Sequence, residues 1–252
     1  MSETFPLFAL ECVASDLEVE VMFNGWPVFR HDGVRDRTRT TQLNPMVIEG
    51  PNILSVSTRP KPGTNPERRF ILQLFRTLTA DDNVILLHYR FRPDLQPLAE
   101  DGFTEVFRQE IEFARTFGRW EWQDARPYMD VDRPAVITAV RELYESFARG
   151  DADAFVNLCS LKLREHERAQ GKDPGVLIAD QKKWLGFVIG DENRTVEPLD
   201  PDNLRLESWC QGRLVDVRAA NGDSPLRSDW GGNKVNFDAV FTRVGETWVV
   251  AR

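Results

Sequence analysis

Apolar and polar residues alternate through most of the first half of the chain. Leu17, Val19, Val21 and Phe23 are interleaved with acidic residues, Asn24-Gly25 follows, and Trp26, Val28 and Arg30 resume the alternation. Asn-Gly between two alternating runs marks a hairpin, because both central residues need positive φ. The charged stretch His31–Thr41 reads as an exposed loop or a polar edge strand. Residues 44–56 read as strand, Gly-Pro-Asn turn and strand. Lys61–Pro66 reads as a surface loop. Further strands are expected over 69–78, 84–91, 106–113 and 116–128, the last carrying Trp120 and Trp122 two apart.

The period changes at 130–155. Asp132 is placed to accept from amides at a helix start, and Pro134 sits in the first turn, where its missing N–H costs nothing. Val136, Ile137, Val140, Leu143, Tyr144 and Phe147 recur at helical spacing, Gly150 supplies a left-handed stop, and Asp151 caps the next helix. A second helix over about 152–170 and a third from Asp173-Pro174 to Gly190 follow. Strands are then expected at 195–198, 204–210, 213–220, 235–243 and 247–252, with 221–232 a polar loop around Trp230. The pattern predicts two domains: an all-β sandwich over 1–129, then an α+β cone over 130–252 with three helices packed on a curved antiparallel sheet.

Composition narrows the function. The 252 residues carry a net charge of −8, with −5 on the first 130 and −3 on the rest, so neither half is basic. That argues against nucleic acid or an anionic membrane as partner. Cys12, Cys159 and Cys210 are far apart and odd in number, which reads as reduced, packed thiols. Without a positive leader or a long apolar run, a cytoplasmic, bacterial protein is the expectation.

Two segments carry a family likeness. The stretch 143–155, Leu-Tyr-Glu-Ser-Phe-Ala-Arg-Gly-Asp-Ala-Asp-Ala-Phe, resembles the opening of nuclear transport factor 2-like domains (the polyketide cyclase and ketosteroid isomerase superfamily). The stretch 241–251, Phe-Thr-Arg-Val-Gly-Glu-Thr-Trp-Val-Val-Ala, resembles their closing hairpin. In the N-terminal half, Gly50-x-Asn52-x-Leu54-x-Val56 after Asn24-Gly25-Trp26 is similar to jelly-roll and galactose-binding-like sandwich modules, where such residues build turn and core. The first resemblance implies a cone open at one end, in a family that includes isomerases, dehydratases and cyclases beside non-catalytic and dimerising modules.

Candidate chemistry follows from that cone. A buried carboxylate would act as base and a tyrosine as donor. Tyr144, Asp180 and Asp238 are the catalytic candidates, with Asp216 beside them. Asp216 and Asp238 alternate with apolar residues and are expected to face away from the core. Trp184, Trp209 and Trp230 are candidates to line a cavity, and Trp120 and Trp122 to line a site near the boundary. Arg164-Glu165-His166-Glu167-Arg168 reads as a solvated helix face. No His or Cys pair has metal-ligand spacing, and neither metal nor cofactor is expected. The favoured function is a non-enzymatic binding or accessory protein, of the immunity type among others, with a protein partner or a small hydrophobic ligand and homodimerisation open. The alternative is a cone-fold enzyme moving a proton on a small hydrophobic substrate.

Overall fold

A computed structural model describes residues 5–60, 68–79, 82–92, 102–191 and 193–252. The Lys61–Pro66 loop lies outside them. The chain divides into two compact units, residues 1–119 with 169–171, and residues 120–168 with 172–252.

The first unit holds two antiparallel four-stranded sheets. One has the order β4-β1-β6-β7, built from β1 (Leu7–Ser15), β4 (Arg37–Gln42), β6 (Arg69–Thr79) and β7 (Asp82–Arg90). The other has the order β3-β2-β5-β8, built from β2 (Leu17–Phe23), β3 (Trp26–Asp32), β5 (Pro51–Pro60) and β8 (Thr104–Glu112). Leu17, Val19, Val21 and Phe23 are all buried, as their alternation requires. Asn24 and Gly25 both take positive φ, 52° and 79°, and close the β2–β3 hairpin. The charged segment supplies β4, an exposed strand at its sheet's edge.

A pair of asparagines joins the hairpin to the Gly50 turn. Asn24 donates through Nδ2 to Asn52 Oδ1 at 2.7 Å and accepts from the Ile53 amide at 2.8 Å. Asn52, fully buried, accepts from the Ile48 amide and donates to the Ile48 and Gly50 carbonyls. Asn24 thereby satisfies a main-chain amide of the strand that follows the Gly50 turn, and Asn52 satisfies main-chain groups of that turn itself.

The second unit contains the helices. They are α1 (Arg133–Arg149), α2 (Ala152–Leu158), α3 (Ser160–Gln170) and α4 (Val176–Val188). Gly150 ends α1 at φ 72°, and Asp151 accepts from the Ala154 amide at 2.9 Å to cap α2. Asp132 works differently from expectation. Its carboxylate accepts from the Met129 amide and from Arg126 and Arg243, and it makes no bond to α1. The helical run expected over 152–170 breaks at Cys159.

Strands of this unit form two sheets. β10 (Arg205–Trp209), β11 (Leu214–Arg218), β14 (Ala239–Val244) and β15 (Thr247–Val250) make one, in that order. β9 (Thr195–Val196), β12 (Leu226–Trp230) and β13 (Asn233–Phe237) make the other, in the order β13-β12-β9. The 221–232 segment, expected as a loop, thus supplies β12. Val136, Val140, Leu143 and Phe147 of α1 pack with Val215, Val217, Phe241, Trp248 and Val250 in one core.

The expected succession of an all-β sandwich and a three-helix cone does not hold. The chain is mostly β, 43% strand against 27% helix, and among the described residues it has four sheets and four helices, the latter in its middle and C-terminal half. The strand run expected over 235–243 changes sheet at Asp238, so no single curved sheet is built. Trp120 and Trp122 lie at a short 3-10 turn, Glu121–Asp124, not on a strand.

Candidate functional site

The break between α2 and α3 opens a cleft in the second unit. Asn157 and Leu158 end one helix, Ser160, Leu161 and Arg164 begin the next, and these residues face Ala139, Glu142 and Leu143 of α1. Phe241 of β14 and Trp248 and Val250 of β15 close the floor, and Glu121 joins the rim. The cavity holds about 310 Å³. Leu143, Phe241, Trp248 and Val250 are each at most 6% exposed, so the floor is core side chain. Tyr128 supports the Trp248 ring edge-on at 6.1 Å.

A buried polar assembly stands behind the rim. The Glu121 amide donates to Glu165 Oε1 at 2.9 Å, and Glu165 Oε2 pairs with the Arg252 guanidinium, which is 8% exposed. Arg168 and Arg252 both lie against the fully buried Trp120 ring, at 4.4 and 5.6 Å. Glu167 accepts from the Leu177 amide at 2.8 Å and caps the start of α4. The run expected as a solvated face therefore has both glutamates buried, 4% and 3% exposed, because each carboxylate has a fixed partner. Burial, helped by Lys162 and Arg252, pushes the His166 imidazole down to about 3, so it is neutral.

The candidates read from sequence lie elsewhere. Tyr144 is half-buried and donates its hydroxyl to the Glu197 carbonyl at 3.1 Å, which makes it a tie between α1 and the segment after β9. Asp180 is exposed on α4. Asp238, also exposed, sits between β13 and β14 and pairs with Arg218 at 3.0 Å. Trp184 is half exposed, edge-on to Phe237 at 5.9 Å. Trp209 is partly buried on β10, and Trp122 is buried at the 3-10 turn. The Trp230 side chain lies outside the described residues. None of the described candidates lines the cleft.

Asp216 is the exception to its expected placement. It is 2% exposed, because β11 is covered on both faces. Oδ2 accepts from Arg218 Nε at 2.9 Å, while Oδ1 is buried without a partner. Burial raises this carboxyl to about 6; Arg218 pulls it down, while Asp238 and Glu207 push it up.

The three cysteines are buried and unpaired. Burial raises Cys159 to about 11, against the opposing Lys162, and Cys210 to about 12, so neither is a ready nucleophile. Among the described residues no group of three His, Cys, Asp or Glu is arranged for a metal, and no helix is long and apolar enough to cross a membrane. No family model, curated protein or solved structure matches the chain.

The cleft was not foreseen. Its floor joins residues near 143 to residues near 248, and only the pairing of β14 with β15 under α1 brings them together.

Proposed function

We propose that the protein is a non-catalytic binding protein whose second unit holds a small, largely apolar molecule in the cleft between α1, α3 and β15. The observation that carries this reading is the cleft's construction: a floor of core side chains under a rim of polar ones. Pockets of this make-up bind small molecules by burying their apolar surface and orienting them through a few polar contacts. A proton-transfer role is less well supported. The Tyr144 hydroxyl is held by a main-chain carbonyl, Asp180 and Asp238 face solvent, and none of these three residues lines the cleft.

A protein partner is the second reading, favoured by a different surface. Val176, Trp184 and Phe187 of α4 are 42%, 49% and 66% exposed, a concentration of apolar side chain that marks contact surfaces.

The cleft reading is tested by filling it. Ala139 is a small, half-buried residue of the wall, so Ala139→Trp places an indole in the cavity at little cost to the core. Small apolar compounds found by saturation-transfer NMR to bind the natural protein are expected to lose that signal in the variant. Signals unchanged by the substitution would place binding elsewhere.

A further inference from the structure

We infer that the cleft selects a small amphipathic cation, an amine with an aromatic or branched aliphatic body, and that Glu142 receives its ammonium group. This rests on the cleft being a ligand site and names the ligand's class.

The rim carries three charged groups, Glu121, Glu142 and Arg164. No hydrogen bond or ion pair occupies any of these three side chains among the described residues. Two carboxylates thus stand against one guanidinium in the lining. Glu142 is exposed on α1, next in the chain to Leu143 of the floor. The cleft therefore has an excess of carboxylate above an apolar floor.

A ligand with an ammonium group completes that arrangement. Its charge meets Glu142 at the solvent edge, where little desolvation is needed, and its body covers Leu143, Phe241 and Trp248. An anion would meet two carboxylates in the lining for the single guanidinium. Volume limits the body: about 310 Å³ stands at the small end of the range of roughly 300–1,000 Å³ found for ligand pockets.

Three probes of one shape test the inference by NMR titration of the whole chain: phenethylamine, 2-phenylethanol and 3-phenylpropionate. Phenethylamine is expected to bind most tightly, with saturable shifts at Leu143 and Trp248. Glu142→Gln should weaken it about tenfold and leave 2-phenylethanol within twofold. Glu142 is exposed, so the variant is expected to fold normally, which its circular dichroism checks. Tighter binding of 3-phenylpropionate, or an amine affinity unchanged in Glu142→Gln, overturns the cation assignment. The cleft reading then still stands if Ala139→Trp abolishes whatever binding remains. Binding of none of the three probes counts against both.

Discussion

Asp216, which is buried, and His166, which is partly buried, are ionisable side chains that push stability in opposite directions with pH. Asp216 has its carboxyl raised from 3.8 to about 6, so the folded chain holds a proton that the unfolded chain has released. The stability it contributes is fully present below about pH 4 and lost as pH rises through 6, on the order of 3 kcal/mol at the shift's full size. Urea unfolding of Asp216→Asn is expected to show this slope removed relative to the natural protein; parallel curves would contradict it. His166 is lowered from 6.5 to about 3, so the unfolded chain takes up a proton that the folded chain refuses. Its contribution is present above pH 6.5 and falls as the medium is acidified, by about 2 kcal/mol at pH 5. His166→Gln should flatten that acid limb. Tyr144 belongs to the same scale. Removing its hydroxyl in Tyr144→Phe should cost about 1 kcal/mol of stability, read by thermal unfolding, and leave cleft binding unchanged. A loss of binding with stability intact would restore Tyr144 as a site residue.

At the scale of elements, local signals were legible and long-range ones were not. Asn24-Gly25, Gly150 and Asp151 each state their turn or cap within a few residues, and each does in the structure what its chemistry dictates. Gly150→Ala sets a side chain at φ 72° and brings its Cβ to 2.7 Å from the Ile189 carbonyl oxygen. It should destabilise by about 1–3 kcal/mol in urea unfolding. Asn52→Ala leaves the Ile48 amide without its acceptor and should cost a similar amount by the same measurement. By contrast, β1 was missed because Phe8, Ala9 and Leu10 are buried in succession and give no alternation. Trp120 and Trp122 imitated strand spacing, whereas the Gln123 side chain folds back on the Trp120 amide and makes a 3-10 turn. Glu165 and Glu167 looked solvated because their partners, Arg252 and the α4 amides, are remote in sequence.

At the scale of the molecule, the change from strands to helices near residue 130 was legible, but the architecture was not. Strand order is set by which edges pair, and the division of the last strands between two sheets turns on Asp238, an exposed polar residue within an apparently continuous run. The candidate site had the same fate. A tyrosine, single aspartates and tryptophans drew attention by residue type, whereas the cleft is made of ordinary core residues and a helix break at Cys159. The function proposed for it rests on its shape and on the charged side chains at its rim.

The central claim is that the cleft is occupied by a small molecule, and native mass spectrometry of the protein purified gently from its own cells tests it most directly. The account predicts a small adduct, of amine character, lost on denaturation and absent from Ala139→Trp. An adduct of equal abundance in Ala139→Trp, or added mass of protein size alone, would contradict it.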